Sequence, residues 1–361
     1  MRAGLTLSTD GRVHVEDVEL LEGGPGDVVV RVTASGVCRS DLSFASGYLG
    51  DIGPTVLGHE GVGVVEQVGR EVRGLAVGDR VIASGIAACG TCWYCHHDES
   101  HLCTTQPRAP RVRRADGSTA GAITGLGTFA EYMTVHQSSL IRTNSALADE
   151  QLALIGCCVS TGVGAVLNTA RVSPGSLVAV IGCGGVGQAV VQGAAIAGAA
   201  RIIAVDPIAL KREKALQLGA SHAIDIGEDG GLAAVRELTD GRGADFVFDV
   251  VGTSETAAAA LRMTRRGGLV TMVGMPRRGD ELRLPAFDLL MNEKRISGSV
   301  YGSTQVRRDF SRYVALAERG SLNLSALVSQ RLSLDDLSTA FRDIERGSVL
   351  RSIVVFSPSI A

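Results

Sequence analysis

Leu177-Val178-Ala179-Val180-Ile181-Gly182-Cys183-Gly184-Gly185-Val186-Gly187 decides the fold of this chain. The first five residues read as a short buried strand, and a helix opens near Gly185. Between them lies Gly182-x-Gly184-x-x-Gly187. In a chain with 46 glycines among 361 residues, that spacing alone carries little. A strand before it and a helix after it give it meaning. Gly182 permits the tight turn, Gly184 lets the backbone approach a pyrophosphate, and Gly187 lets helix and strand pack closely. Gly185 and Val186 begin a helix whose free N–H groups and partial positive charge suit phosphate. The next strand ends at Asp206, nineteen residues beyond Gly187. An acid there accepts both hydroxyls of an adenine ribose and repels a 2′-phosphate. Pro207 and Ile208 follow, where Arg or Ser would suit NADP, so the reading is NAD.

Around this fingerprint the chain carries no charge over 24 residues, 177–200. That length would suffice for a membrane span, but six glycines interrupt it and split it into strand and helix. A parallel sheet covered on both faces gives such apolar runs. Strands at 177–181, 201–205, 246–250 and 269–273 alternate with helices at 186–197, 210–218, 232–239 and 254–263, which is a doubly wound parallel sheet. Val250 and Val273 end their strands on the side where nucleotides lie and are counted among the cofactor contacts. A strand at 299–301, helices at 306–319 and 334–346, and a strand at 353–356 follow. The first 150 or so residues read differently. Short valine-rich strands at 12–18, 27–34, 63–68 and 80–83 are separated by glycine turns, and helices are expected only at 149–155 and 162–170.

Composition fits a globular protein: 45% hydrophobic and 20% charged residues. A net charge of -3 argues against a nucleic-acid surface. The only basic cluster, Arg108–Arg114, reads as a solvated loop, with Arg108, Arg111, Arg113 and Arg114 as a lesser candidate for an anionic substrate. No apolar export segment precedes the polar residues Ser8 to Arg12, and no other segment is a membrane candidate. The expectation is a cytoplasmic protein, where reduced thiols suit metal binding.

Four of the eight cysteines, Cys89, Cys92, Cys95 and Cys103, fall in one short run. Two-residue gaps gather three sulfurs around a point and a wider loop returns the fourth, as in a closed tetrathiolate zinc site. An iron–sulfur motif would place its last cysteine three residues on, before proline; here the gap is seven and Thr104 follows. His96, His97 and His101 read as loop residues rather than ligands. Cys38, His59 and Cys157 are scattered. Together they could hold a zinc ion with a fourth position open.

These motifs occur in one order: Gly36-Val37-Cys38-Arg39-Ser40-Asp41, Gly58-His59-Glu60-x-x-Gly63 continuing to Gly69 and Val72, the Cys89–Cys103 lobe, Cys157-x-x-Ser160-Thr161-Gly162, and Gly182–Gly187. On them the whole chain resembles the zinc-dependent medium-chain alcohol dehydrogenases, the lobe spacing looking most like the liver-type and formaldehyde-dehydrogenase-type members. The resemblance implies a β-rich GroES-like catalytic domain over residues 1–158 and 301–361, with the zinc lobe at about 88–104, and a Rossmann NAD-binding domain over 159–300. It implies two zinc ions per chain, the catalytic one on Cys38, His59 and Cys157, with Cys158 a neighbour that could be exchanged for Cys157. Asp41 would orient His59, Glu60 would lie near the metal, and Ser40 would meet the substrate hydroxyl. Arg39 and Arg351 would meet the pyrophosphate, Asp206 and Lys211 the adenine ribose, and Thr161 the nicotinamide. The implied reaction exchanges a hydride between an alcohol and NAD.

Two departures stand out. Many relatives have a proton-relaying histidine where this chain has Ser43, so a steeper pH dependence is expected. The segment between Cys103 and Gly127 is shorter than in the liver-type and formaldehyde-type enzymes, which weighs against a large thiol adduct. The leading expectation is a primary or aromatic alcohol dehydrogenase. An S-hydroxymethyl-thiol dehydrogenase, a biosynthetic carbonyl or iminium reductase, and a non-catalytic NAD-binding scaffold are the alternatives. By analogy a homodimer is expected, through an edge strand near Ser299–Tyr301, with a tetramer as the alternative.

Overall fold

The structure, a computed structural model, describes residues 1–105, 111–227 and 229–356. The chain divides into two compact units, Met1–Cys158 with Gln305–Arg319 and Val328–Ala361, and Val159–Thr304 with Gly320–Leu327. Gly320–Leu327, like 301–304, thus belongs to the second unit, although 301–361 was expected wholly in the first. Gln192 of the second unit accounts for Gly320–Leu327: its Oε1 accepts from the Asn323 N–H at 2.6 Å.

The first unit is β-rich. Arg2–Thr6, His14–Leu20, Val112–Arg114, Thr119–Ala122 and Thr55–Val56 close into a small barrel. A seven-stranded sheet runs Leu140–Arg142, Arg80–Ala83, Glu60–Val68, Asp27–Val37, Arg351–Val355, Val328–Leu332, with Tyr132–His136 also paired to Asp27–Val37. Alternation explains the central strand: Val28, Val30 and Val32 point inward onto Val65, Val81, Met133 and Val135. Its end is set by close approach. Gly36 lies opposite Glu60, and a Cβ at Gly36 would stand 2.1 Å from Glu60 Oε2.

The second unit is a six-stranded, all-parallel sheet in the order His222–Ile224, Arg201–Val205, Leu177–Ile181, Ala244–Asp249, Thr264–Met272, Arg295–Gly298. Numbered by sequence this is 3-2-1-4-5-6, the doubly wound order whose direction reverses between Leu177–Ile181 and Ala244–Asp249. Val180, Ile203, Val247 and Val270 are buried in it. The fingerprint helix is Gly185–Ile196. Among the described residues no single helix is long and apolar enough to cross a membrane; the pair Asp149–Gly156 and Cys158–Ala170 passes only when joined across a 55° bend.

Several local expectations are corrected. The last strand of the parallel sheet is Arg295–Gly298, not 299–301. Tyr301–Ser303 is a single tight helical turn in which Tyr301 (φ 53°) and Ser303 (φ 47°) are left-handed and cannot extend a strand. The described end of the basic cluster is a strand and not a loop: in Val112–Arg114, Arg113 pairs with Glu19 and Arg114 with Glu16. Arg111 is buried against Asp27 at 3.0 Å. These three guanidiniums are structural; Arg108 lies outside the described residues.

Candidate metal centres and nucleotide site

One donor cluster gathers Cys38, His59, Glu60 and Cys157, whose ligand atoms all lie within 4.8 Å of one another. Cys38 follows the long central strand directly and caps the helix Arg39–Ala45. That helix is held at its start by Asp41, whose Oδ2 accepts from the Cys38 N–H at 2.9 Å. The same carboxylate accepts from Gly58 N–H at 3.1 Å and faces His59 Nδ1 at 2.9 Å through Oδ1. With its proton on Nδ1, His59 presents Nε2 as a lone-pair donor, as metal-ligating imidazoles held by carboxylates do. Asp41 is fully buried, so the orientation is firm.

Glu60 follows in the next strand and is fully buried. Neither of its oxygens has a hydrogen bond, although Arg351 Nη2 stands 3.4 Å from Oε1. Burial pushes its carboxyl up to about 7, with the Arg351 charge opposing. The Cys38 thiol is held well below its ordinary value, first by the hydrogen bond with Cys157, against burial, with help from the charge of Arg351. Cys157 lies at the end of the turn Leu154–Gly156. The cluster contains Cys157 and not Cys158, whose fully buried thiol is pushed up to about 12 by burial. Arg351, expected at the pyrophosphate, is buried and donates to Val37 O at 3.2 Å; its Nε has no hydrogen-bond partner. Ser40 Oγ lies 3.2 Å from His59 Nε2. Ser43 Oγ, one turn further, donates back to Arg39 O at 3.2 Å. Arg39 is exposed.

The lobe brings the sulfurs of Cys89, Cys92, Cys95 and Cys103 together, and no lobe histidine joins them. The Cys89–Cys95 and Cys92–Cys103 sulfurs are 3.9 and 3.8 Å apart. A tetrahedron of zinc–sulfur bonds of ~2.3 Å has edges of about 3.8 Å, so these two separations are those a zinc ion requires. The Thr91 hydroxyl and then the Thr91 and Cys92 N–H groups hold the Cys89 thiol down at about 5. His97 stacks on the exposed Trp93 with ring centroids 4.0 Å apart.

The glycine loop behaves as its spacing requires. Gly182 has φ +87°, a Cβ at Gly184 would meet nothing within 4 Å, and a Cβ at Gly187 would stand 2.0 Å from Gly182 O. Gly185 and Val186 form the first turn of the helix, and Gly184 at its cap offers no side chain to the free N–H groups. Gly162, beside Thr161, packs on that turn: its Cβ would be 2.5 Å from Val186 O. Asp206 follows its strand directly; Oδ2 accepts from Cys183 N–H at 2.7 Å and Oδ1 from Ile208 N–H at 2.9 Å. Lys211 lies in the first turn of Ala209–Gln217. Val250 follows Ala244–Asp249 and donates its N–H to Ile181 O, and Val273 follows Thr264–Met272, so both stand at the carboxyl end of the sheet. The sequence reading missed Gln188, which is fully buried against this loop; a glutamine inside an apolar helix was the available signal.

Family models agree with both halves. Residues 24–145 match the alcohol dehydrogenase GroES-like domain and residues 185–319 match the zinc-binding dehydrogenase model. The chain is 36% identical to an NDMA-dependent alcohol dehydrogenase of Amycolatopsis methanolica, covering 99% of both chains. It is 34% identical to an S-(hydroxymethyl)glutathione dehydrogenase of Synechocystis, covering 98% of this chain and 99% of the other. The crystal structure of benzyl alcohol dehydrogenase from Acinetobacter calcoaceticus superimposes with a TM-score of 0.92 at 28% identity, over 99% of each chain. A shared sequence over nearly the full length, with both donor clusters and the glycine loop in place, means that the chain belongs to the zinc-dependent medium-chain alcohol dehydrogenases, oxidoreductases that interconvert an alcohol and an aldehyde or ketone with a nicotinamide cofactor.

Proposed function

We propose that the chain binds two zinc ions and uses NAD to oxidise a primary or aromatic alcohol, or to reduce the matching aldehyde. The observation that carries this is the convergence of Cys38, His59 and Cys157, with His59 fixed through Nδ1 by a buried carboxylate. Bound zinc supplies a Lewis acid for the substrate oxygen and bound NAD supplies the hydride exchange. The protein's own groups do the rest. Asp41 keeps His59 in one tautomer and Cys38 in place. Ser40, with Oγ beside His59 Nε2, binds the substrate hydroxyl and takes or returns its proton. The Ser43 hydroxyl donates to Arg39 O and cannot store a proton at neutral pH, so water or another base completes the transfer. The lobe cysteines are assigned a structural zinc.

The preference for NAD rests on Asp206, whose carboxylate is held in place by two backbone N–H groups where a 2′-phosphate would meet its charge. We assign Gly182–Gly187 to the pyrophosphate, Asp206 and Lys211 to the ribose, and Thr161 to the nicotinamide end. The chain is proposed to be cytoplasmic, since its two thiol-rich donor clusters suit a compartment that keeps cysteines reduced for metal. It is proposed to dimerise through the helix Ala286–Met291 and the edge strand Arg295–Gly298. Phe287 and Leu290 there are 79% and 74% exposed, more than an isolated surface residue needs. Replacing both with Asp is expected to give a monomer in sedimentation velocity; an unchanged mass removes this surface.

The primary test measures zinc content and NAD reduction over aliphatic, benzylic and thiol-adduct alcohols. Two zinc per chain with turnover of a benzylic or aliphatic alcohol is expected. One zinc and no turnover would favour a non-catalytic scaffold, and turnover confined to the thiol adduct would favour the formaldehyde-type reading.

A further inference from the structure

Two glutamines sit one turn apart on the fingerprint helix, among residues that are otherwise apolar or glycine. A buried amide without partners is costly, so each should have a specific use. Gln192 holds Asn323, as described. Gln188 is fully buried. Its Nε2 donates to two backbone carbonyls, Cys183 O at 2.8 Å and Lys211 O at 2.8 Å. Two acceptors fix which end of the amide faces them, because an oxygen there would be repelled by both. Its Oε1 has no hydrogen-bond partner. The side chain is therefore retained for its two donors alone.

Those two carbonyls belong to the two ends of the nucleotide site. Cys183 is the loop residue just before Gly184, and Lys211 lies in the first turn of the helix that follows the ribose-reading acid. Cys183 is pinned from its other side as well, since its N–H donates to Asp206 Oδ2 at 2.7 Å. One amide thus ties the phosphate loop, the acid and the first turn of Ala209–Gln217 into a single frame. We propose that Gln188 is a positioning residue for the dinucleotide: it touches no ligand but holds the loop and Lys211 at one spacing, so that pyrophosphate and adenine ribose are bound as a unit. The proposal rests on the nucleotide reading of this loop given above.

The test compares wild-type holoenzyme with Gln188→Met, which keeps the volume and removes both donors. ADP, carrying the pyrophosphate and adenine ribose without the nicotinamide, is titrated calorimetrically, and KM for NAD and kcat are measured at saturating alcohol. Losing two ordinary hydrogen bonds that hold a binding frame should weaken ADP and raise KM for NAD on the order of ten-fold, with kcat changed less than two-fold. A purely structural role would lower the melting temperature and the active fraction while the ADP affinity of the folded protein stayed put. Gln188→Glu is the second variant. Its carboxylate faces two carbonyls at pH 8, so ADP should bind more weakly still than to Gln188→Met, and protonation at pH 5 should restore part of that loss by returning one donor. ADP affinities within two-fold of wild type for both variants overturn the proposal. A wild-type protein that binds neither ADP nor NAD overturns the nucleotide reading itself and this inference with it.

Discussion

Asp41→Asn is the sharpest test of how the catalytic cluster is built. Three buried donors converge on this carboxylate: the N–H groups of Cys38 and Gly58 and the Nδ1 of His59, at 2.9, 3.1 and 2.9 Å. An asparagine offers one oxygen in place of two and presents its own N–H group to the remaining donor. If the oxygen serves Gly58 and His59, the amide NH2 faces the Cys38 N–H; if it is flipped, His59 loses its acceptor. Either way a buried donor is left unsatisfied, at a cost of about 1–3 kcal/mol. The metal suffers separately, because a ligating histidine deprived of its carboxylate typically costs ~10–100-fold in metal affinity. The lobe provides an internal control, since its four thiolates are untouched. A chelator titration followed with a chromogenic zinc indicator should show two steps in wild type. In the variant one step should move to a chelator activity ~10–100-fold lower while the other stays. kcat/KM should fall along with occupancy. If both steps coincide with wild type within two-fold, Asp41 does not support the metal ligand and the assignment of Cys38, His59 and Cys157 as one site loses its main argument.

Other expectations follow from single residues. Cys103→Ser removes one of four lobe ligands, so zinc content should fall from two to one per chain, and the fluorescence of Trp93, the sole tryptophan, should change as its stack on His97 loosens; retention of two zinc refutes the lobe assignment. In zinc-stripped protein, Glu60 keeps a proton up to about 7 that the unfolded chain releases at its ordinary value of 4.5. The unfolded state then binds fewer protons between those values, so the Glu60 contribution is full at low pH and is lost as pH rises through this window, by about 3 kcal/mol at most. Glu60→Gln should flatten the dependence of the denaturation midpoint on pH, and an unchanged slope would locate it elsewhere. Ser43→His should broaden the acid limb of the pH–rate profile by adding a group that titrates near neutrality; a superimposable profile removes position 43 from the proton path.

Much of this protein is legible in its sequence. The glycine fingerprint is short-range: three glycines and five apolar residues fix a strand, a turn and a helix by local sterics, and Gly187 could not carry a Cβ 2.0 Å from Gly182 O. The lobe is similarly local, because its four sulfurs lie within one short run of chain. The set Cys38, His59 and Cys157 was proposed from order and resemblance, and spacing alone could not have chosen it. What only the tertiary structure decided is how distant residues share space. The antiparallel register that sets Gly36 opposite Glu60 puts that carboxylate in the donor cluster with Cys38, His59 and Cys157. Pairing of Arg113 and Arg114 with Glu19 and Glu16 turned an apparent basic loop into a barrel strand. Backbone handedness at Tyr301 and Ser303 moved the sheet edge back to Arg295–Gly298. Gln188 carries no motif, and its importance appears only when two carbonyls from separate segments meet its amide. Sequence specifies chemistry and local conformation because both are set within a few residues; register, burial and shared partners depend on contacts made across the whole chain.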